Sequence, residues 1–424
     1  MTLNLSVMTK RKVKYFTLVF GILFYIIANY RAYAGNYGLP DSLSRDAVMS
    51  IVLATPVEDE VYTVYGHAAF RVTDIRQNLD VTFNYGIFSF DDGFIWRFVK
   101  GETDYIVLPV ATSDYMSEYM MRGSNVTELI LNMTVEEQTR AWNYLLWNIK
   151  KENRTYRYNF FYDNCSTRPV EIFLQSVDVD KIKFHSEEEK PVSWRDLINE
   201  AERKQPWLLF GTDLALGAPT DRKASKRMQL FLPEKVVEYL PSATVLTKKG
   251  EERTIVSEVI EHKTSVISKE SDSIWDNFLT PFTAFSLILI LLLFFCFRDI
   301  KLKRCSFVID YILLFSAGVG GLILFFLMFI SVHPHTVPNY NFIVLHPFHL
   351  VLGIPMVASG INKAYYYHFV NFVVLIAFCA MAWFLPQHFN QAMIPVTLIL
   401  TVLSACRIFI IRSQRKQIAK SQIK

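Results

Sequence analysis

The chain has 424 residues, of which 51% are apolar and 15% aromatic. Its mean hydropathy of +0.21 is high for a wholly water-soluble protein of this length, so a membrane component is expected. The net charge is only +4, and the polar part of the chain has no basic block interleaved with aromatic residues. This pattern argues against a nucleic-acid partner.

The N-terminal segment, residues 1–34, has the layout of a secretory signal peptide. A basic stretch, KRKVK, precedes an apolar run over residues 15–28, and Ala32, Tyr33 and Ala34 form an A-x-A cleavage site. We predict cleavage after Ala34, with an uncleaved signal anchor as the alternative. In both cases the residues that follow are exported.

Residues 35–275 are mixed and polar, without an apolar stretch long enough to span a bilayer. They predict one extracytoplasmic domain, large enough for a well-buried core. AVMSIVLATP, HAAFRVTD and VTFNYGIFSF have the composition or alternation of β-strands. Further on, Thr134 and Glu137 form a capping box that opens a helix, with Ala141, Leu145 and Ile149 on one face. The exported domain is therefore predicted to be α+β.

Cys165, in NFFYDNCSTRPVEIF, is the only cysteine of this domain, so it has no partner for an intradomain disulfide. Such a thiol is either reactive or a small buried apolar group. The small hydroxyl residues and Pro169 that follow predict the start of a helix. A thiol at a helix N-terminus faces unpaired N–H groups that favour the thiolate. The local pattern therefore favours a nucleophile.

A nucleophilic thiol needs a base, and the exported domain offers three histidines, His67, His185 and His262. The last two lie in a charged loop and near the membrane junction, where solvated side chains are expected. His67, in VYTVYGHAAFRV, directly precedes a predicted strand that could hold its imidazole in a pocket. A structural histidine is the alternative at this position.

Five apolar segments after residue 275 are each close to the length needed to cross a bilayer. They predict spans at 278–297, 309–332, 342–359, 369–385 and 393–411, within a transmembrane domain over 276–412 and ahead of a basic tail over 413–424. The third is the weakest, because His346, Pro347, His349 and Pro355 favour a broken or re-entrant helix. Neither this pair of histidines nor His333 and His335 has the spacing of a metal site.

Lysine and arginine residues predict the orientation of the spans. They occupy alternate connections, after the first, third and fifth spans, at Arg298, Lys301, Lys303, Arg304, Lys363, Arg412, Arg415, Lys416, Lys420 and Lys424. The loops at 333–341 and 386–392 carry neither residue type. The positive-inside rule therefore puts the C-terminus in the cytoplasm and the exported domain outside.

YGHAAFRV followed by RYNFFYDNCSTR resembles the His-then-Cys arrangement of permuted papain-like enzymes, such as the NlpC-like peptidases and the lecithin retinol acyltransferase type. Together with KGETDYIVLP, MQLFLP and the following spans, these motifs resemble the Lnb family of bacterial lipoprotein N-acyltransferases. The resemblance implies a permuted papain-like exported domain, with Cys165 as nucleophile and His67 as base. Asn84 and Asp104 are candidates for orienting the imidazole. Asp163 and Arg168 either fix the turn or bind substrate.

The resemblance also implies a reaction in the inner membrane that needs no cofactor. An acyl chain would pass from a membrane phospholipid, through a Cys165 thioester, to the N-terminal amine of a diacylated lipoprotein by ping-pong kinetics. A membrane-tethered cysteine peptidase or amidase acting on cell-wall peptides is one alternative. A membrane scaffold without enzymatic activity is the other. Five spans favour lipid substrates, since a single tether would suffice for cell-wall peptides.

Overall fold

The computed structural model describes residues 37–57, 63–88, 93–185, 191–266 and 278–422, with side chains up to residue 416. The predicted signal peptide and its cleavage site lie outside the described residues. The described chain has an N-terminal domain of strands and helices and a C-terminal bundle of apolar helices. The predicted α+β domain followed by a helical membrane region is confirmed.

The N-terminal domain is built on a seven-stranded antiparallel sheet. Its strands are β1 (Val48–Ala54), β2 (His67–Asp74), β3 (Leu79–Ile87), β4 (Asp104–Ala111), β5 (Val126–Leu131), β6 (Thr155–Arg157) and β10 (Val256–His262). They lie in the order β10-β5-β1-β2-β3-β4-β6. Three shorter strands, β7 (Val179–Lys183), β8 (Thr244–Thr247) and β9 (Glu252–Thr254), form a second sheet.

Helices cover both faces of the main sheet, and others lie between the sheet and the membrane region. The helices of the N-terminal domain are α1 (Phe94–Lys100), α2 (Thr112–Met121), α3 (Val135–Asn148), α4 (Thr167–Val177), α5 (Trp194–Glu202), α6 (Pro206–Ala215), α7 (Lys226–Gln229) and α8 (Pro233–Tyr239). On one face, Trp142 of α3 and Phe173 of α4 pack against the alternate residues Ile51 and Leu53 of β1. On the other, Tyr115 of α2 packs against the intervening Val52. Successive residues of β1 therefore face opposite sides of the sheet and pack into two different apolar layers.

The capping box predicted at Thr134 and Glu137 opens α3. Thr134 Oγ1 accepts a hydrogen bond from the Glu137 N–H, and the Glu137 carboxylate accepts one from the Thr134 N–H. Two N–H groups that the helix itself cannot satisfy are thereby bonded. Ala141, Leu145 and Ile149 are all buried, as predicted for one face of this helix.

The region after residue 191 belongs to the same domain, because β10 returns to the edge of the main sheet beside β5. Its helices build a second apolar cluster, in which Phe161 packs against Trp194 and Phe231. Helix α6, the PWLLFGTDLA segment, lies against the membrane region. Trp207 Nε1 donates to the Leu279 carbonyl at 2.8 Å, and the Phe210 and Phe285 rings lie 5.4 Å apart.

Among the described residues, four long apolar helices form the membrane region. They are α9 (Pro281–Leu302), α10 (Phe307–Phe329), α12 (Ile361–Met381) and α13 (Met393–Gln422); each is long and apolar enough to cross a membrane. Helix α12 begins at Ile361, eight residues before the predicted start at Phe369. The difference arises because the mixed segment NKAYYYH reads as a loop, although it buries Ala364, Tyr367 and His368.

The predicted third span is broken. It consists of a 3₁₀ turn, Tyr340–Ile343, a π-helical turn, His349–Gly353, and the short helix α11 (Ile354–Ala358). The backbone of this segment packs directly on α10. A Cβ added to Gly321 of α10 would lie only 2.3 Å from the carbonyl carbon of His346 in the broken segment. Irregular backbone at this depth is tolerated because it is covered by protein.

The ends of the membrane helices lie on two opposite sides. The loop at 386–392 contacts the N-terminal domain, where Asn390 Nδ2 donates to Asp213 Oδ2 at 2.9 Å. At the other end, Gln414 Nε2 donates to the Lys303 carbonyl at 2.7 Å. Buried ion pairs also fasten this end, where Arg407 bonds Asp299 and Asp310 at 2.8 Å each. The broken segment begins on the domain side, after α10, and leads to α12, whose Asn362 Oδ1 accepts a hydrogen bond from Arg415 at 2.8 Å on the opposite side. It therefore passes from one side of the helices to the other.

Candidate functional site

Cys165 lies immediately ahead of helix α4, as the sequence predicts. The neighbouring Asn164 holds this helix start in place. Its Oδ1 accepts hydrogen bonds from the N–H groups of Ser166 and Thr167, both at 2.9 Å. Its Nδ2 donates to the carbonyls of Phe160 and Phe231, both at 2.8 Å. All the polar atoms of this buried side chain thus serve to fix the backbone that carries the thiol.

His67 is the first residue of β2, at the end of the strand next to Cys165. Its Nε2 lies 2.7 Å from Asn84 Oδ1 on the neighbouring strand β3. In the ladder Asn84 is paired with Ala69, two residues after His67, so the two side chains lie on the same face of the sheet. The His67 ring also stacks on Tyr119 of α2, with centroids 5.4 Å apart and planes inclined by 10°. The imidazole is therefore held on two sides.

Gly86 brings strand β3 close to the thiol and the imidazole. The register of β3 against β4 shifts between Tyr85 and Ile87, and Gly86 has a φ of +97°. This is a β-bulge with glycine in the conformation that side chains disfavour. A Cβ added there would lie 3.6 Å from His67 Cε1 and 3.8 Å from Cys165 Cβ. The bulge leaves space over the pair that a side chain would occupy.

The thiol and the imidazole shift each other's pKa. Burial raises the pKa of Cys165, but the charge and hydrogen bond of His67, with the N–H groups of Ala68 and of Cys165 itself, outweigh it and lower the pKa overall. Burial lowers the pKa of His67, but the Cys165 thiolate and the bonds to Cys165 and Asn84 raise it overall. Both shifts favour a thiolate–imidazolium pair.

The other candidates from the sequence lie around this pair in different ways. Asp104, the first residue of β4, accepts a hydrogen bond from Arg157 Nε at 2.6 Å, so its carboxylate is engaged at the sheet edge. Asp163 and Arg168 form a two-bond ion pair, with both distances 2.7 Å. The Arg168 guanidinium also lies 3.5 Å from the centre of the Tyr156 ring. That pair braces the turn that carries Cys165.

Aromatic side chains surround the thiol. Burial raises the pKa of Tyr105 to about 12, and the Cys165 thiolate adds to this effect. The Tyr158 ring lies 4.3 Å from that of Tyr105, centre to centre. Beside His67 is a cavity of ≈ 40 Å³, lined in part by Tyr119 and Arg122. This volume holds a few water molecules and is too small for an acyl chain.

The loop that follows α10 contacts the segment just before Cys165. His335 Nε2 lies 2.6 Å from Tyr162 Oη, and its ring stacks on Phe161 with centroids 4.4 Å apart. His333 Nε2 lies 2.9 Å from the Phe98 carbonyl. Deeper in the bundle, the rings of His346 and His349 stack at 3.9 Å. His346 and His349 thus contact each other inside the bundle, whereas His335 and His333 tie the membrane region to the periplasmic domain.

Two family models match the chain. One, described as the Lnb N-terminal periplasmic domain, covers residues 41–200, which include His67, Asn84 and Cys165. The other, described as the Lnb transmembrane domain, covers residues 273–416. The chain belongs to the Lnb family. No curated protein and no solved structure matches it.

Membership of the Lnb family indicates a membrane enzyme of lipoprotein processing with a periplasmic domain. The second matched region begins at residue 273, shortly before the first long apolar helix starts at Pro281. The thiol and the imidazole of this Lnb protein therefore belong to its periplasmic domain, on the side where the membrane loop after α10 meets it.

Sequence reasoning overlooked two residues of this Lnb site. Asn164 precedes the thiol, and its signal was available, because an Asn side chain at the start of a helix commonly accepts hydrogen bonds from the backbone N–H groups two and three residues further on. The role of Gly86 could not be predicted from the sequence. A glycine inside an alternating strand indicates a bulge, but it does not identify the side chains that the bulge approaches.

Proposed function

We propose that this Lnb protein is a thiol-dependent N-acyltransferase that moves an acyl chain from a membrane phospholipid to the N-terminal amine of a diacylated lipoprotein. The observation that carries the proposal is the thiol at the start of α4 beside an imidazole bonded to Asn84. Cys165 acts as the nucleophile, His67 as the acid and base, and Asn84 as the residue that orients the imidazole. The periplasmic domain then has a permuted papain-like arrangement.

In the first step the Cys165 thiolate attacks the ester carbonyl of the phospholipid, and a C–S bond forms. The ester C–O bond breaks, and the departing alkoxide takes the proton of the His67 imidazolium. The products are a Cys165 thioester and a lysophospholipid. The Cys165 N–H, which already faces the sulfur, is suited to stabilise the negative carbonyl oxygen of the intermediate.

In the second step the amine of the lipoprotein's N-terminal cysteine attacks the thioester carbonyl. An N–C bond forms, the C–S bond breaks, and neutral His67 accepts the proton of the amine. The acceptor leaves with an amide-linked third acyl chain, and the thiolate–imidazolium pair is restored. Because donor and acceptor react in turn at the same thiol, ping-pong kinetics are expected.

The orientation of the spans is part of the proposal. The periplasmic domain contacts the loops after α10 and α12, whereas the Lys303 region and the end of α13 share the opposite side. That opposite side carries the positive connections, including Arg298, Lys301 and Arg415. We therefore propose that the C-terminus lies in the cytoplasm and that the protein resides in the inner membrane.

The test is complementation of a host whose own lipoprotein N-acyltransferase has been removed. Mass spectrometry of a reporter lipoprotein is expected to show a third acyl chain with the wild-type protein and none with Cys165→Ala. Failure of the wild-type protein to add that chain, at normal expression, rejects the proposal. Incubation with peptidoglycan fragments in parallel reveals a peptidase or amidase activity if that alternative holds.

A further inference from the structure

Helix α1 of the periplasmic domain presents an apolar face that the domain does not cover. The exposed fractions are 75% for Ile95, 59% for Trp96, 52% for Phe98 and 41% for Val99. Phe94 alone turns inward, and it stacks on Phe88. Four exposed large apolar side chains on a seven-residue helix indicate a surface that contacts lipid or another apolar partner.

This face continues the lipid-facing surface of the membrane helices. The Trp96 ring lies 5.5 Å from that of Phe326, in the last turn of α10. Just beyond this helix, the Val332 N–H donates to the Lys100 carbonyl at 2.8 Å. On α10 itself, Phe325 and Phe329 are exposed as lipid-facing side chains are. Helix α1 therefore lies beside the end of α10 that is nearer the periplasmic domain, and tryptophan residues such as Trp96 are enriched where lipid meets water.

An aromatic row connects α1 to the thiol. The Phe94 ring lies 5.2 Å from Phe88, Phe88 lies 5.1 Å from Tyr105, and Tyr105 lies 4.3 Å from Tyr158. Tyr105 belongs to the apolar cluster of the main sheet, and Phe88, Tyr158 and Cys165 all pack against that cluster, so the row ends in the same packed region as the thiol. We call Phe94, Phe88, Tyr105 and Tyr158 the aromatic row.

We propose that α1 lies in the outer leaflet and that an acyl chain of a bilayer phospholipid reaches Cys165 along the aromatic row. The cavity beside His67, at ≈ 40 Å³, cannot hold such a chain, so the chain needs another apolar path. The exposed face of α1 and the rings of the aromatic row, of which Phe94 and Tyr105 are buried, form a continuous apolar path from lipid to thiol. The membrane contact of α1 stands by itself, whereas the passage to Cys165 rests on the proposed acyl transfer.

Photolabelling tests the membrane contact with the full-length protein in nanodiscs. A phosphatidylcholine with a diazirine in its acyl chain is irradiated, and the labelled peptides are identified by mass spectrometry. Labels on the peptide that contains α1, as well as on α9 and α10, are expected. Labels on the membrane helices with none on α1 overturn the proposal.

A pair of matched variants tests the passage. Ile95→Asn with Val99→Asn removes apolar contact with the acyl chain, and should slow thioester formation from a long-chain phospholipid by at least about tenfold. Thioester formation from a water-soluble butyrate ester should stay unchanged. The control is Ile75→Asn. Ile75 is 90% exposed and follows the end of β2 that is opposite to His67.

The outcomes separate the two proposals. An equal loss with both donors, or no loss with phospholipid, overturns the route along α1 while the thioester itself supports acyl transfer. Absence of a thioester from any donor in the wild-type protein rejects acyl transfer and the route together. Photolabels on α1 would then still support its contact with the membrane.

Discussion

Tyr162 Oη lies 2.6 Å from His335 Nε2, and this contact joins the segment before Cys165 to the loop after α10. Burial, and then the charge of Arg222, lowers the pKa of His335, so its ring is neutral near pH 7 and shares one hydrogen bond with the Tyr162 hydroxyl. The two residues are 173 positions apart in the chain. The position of the nucleophile segment thus depends on the membrane region as well as on the periplasmic domain.

Tyr162→Phe should lower the rate of acyl transfer about fivefold, because it removes one hydrogen bond worth about 1 kcal/mol. His335→Ala should lower it further, since the stacking on Phe161 is also lost. The measurement is the initial rate of thioester formation in nanodiscs. Tyr366→Phe, at an exposed position of α12, is the control. Unchanged rates for both site variants would contradict a positioning role for this contact.

Asn84→Ala should reduce acyl transfer roughly ten- to a hundredfold, by analogy with the loss of the partner that orients a metal-binding histidine. The imidazole then keeps its stacking on Tyr119 but loses the bond to Nε2. The matched control is Asp104→Asn, which touches only the exposed pair with Arg157. Steady-state kinetics distinguish them, and equal effects of the two substitutions would argue against Asn84 as the orienting residue.

The pH dependence of thiol alkylation follows from the two shifted pKa values. As pH rises, labelling of Cys165 by iodoacetamide should begin below the range of an ordinary thiol, since His67 lowers the pKa of Cys165. In His67→Ala the burial that raises this pKa is no longer opposed by the imidazolium, so labelling should shift to higher pH. An identical profile for the two proteins would show that the groups are not coupled.

Acyl transfer should have a bell-shaped pH profile for the same reason. It rises as the thiol ionises through its lowered pKa and falls as pH passes the raised pKa of His67, above which no imidazolium remains to protonate the leaving group. The rate of thioester formation across pH measures both limbs. A rate that only increases with pH would contradict the role of His67 as an acid.

Gly86→Ala should abolish most activity, because the new Cβ fills the space over His67 and Cys165. The residue also has a positive φ, so part of any effect is backbone strain of about 1–3 kcal/mol. Gly250→Ala isolates that part, since Gly250 has a φ of +88° and no atom within 4 Å of the added Cβ. Thermal unfolding should respond similarly to both substitutions, and activity only to the first.

Asn164→Ala should lower the free energy of unfolding by about 2–4 kcal/mol, because buried N–H and carbonyl groups lose their partners. Chemical denaturation of the full-length protein in detergent is the measurement. Asn132→Ala, whose amide makes one exposed 3.4 Å bond to Thr254, should change it by less than about 0.5 kcal/mol. Similar effects at both positions would contradict the importance of the Asn164 bonds.

Local patterns in the sequence predicted the elements that depend on local physics. The capping box at Thr134, the helix start after Cys165 and the strand HAAFRVTD all appear where the pattern puts them. The choice between Asn84 and Asp104 could not be made, because it depends on the pairing of Ala69 with Asn84. A ladder register is set by the whole sheet and its turns, not by spacing in one strand.

Contacts between the domains were equally beyond the reach of sequence patterns. The loop at 333–341 was recognised as uncharged, but nothing in it indicates that His335 stacks on Phe161. The start of α12 was placed too late for a related reason. A polar-looking segment can be helical when its tyrosines and histidine are buried against other helices, as Tyr367 and His368 are.

The seam between the periplasmic domain and the loop after α10 includes three hydrogen bonds between main-chain groups. The Val332 N–H donates to the Lys100 carbonyl, the Gly217 N–H to the His335 carbonyl and the Ala218 N–H to the Pro338 carbonyl, at 2.7–2.8 Å. Apart from the missing N–H of proline, every residue type carries these groups, so most exchanges of loop side chains leave the seam intact. The exception on the domain side is Gly217, where an added Cβ would lie 2.2 Å from the Pro338 carbonyl oxygen. Insertion or deletion of a single residue between Val332 and Pro338 would misalign at least one of the three bonds. The length of the loop is therefore under stricter constraint than its composition.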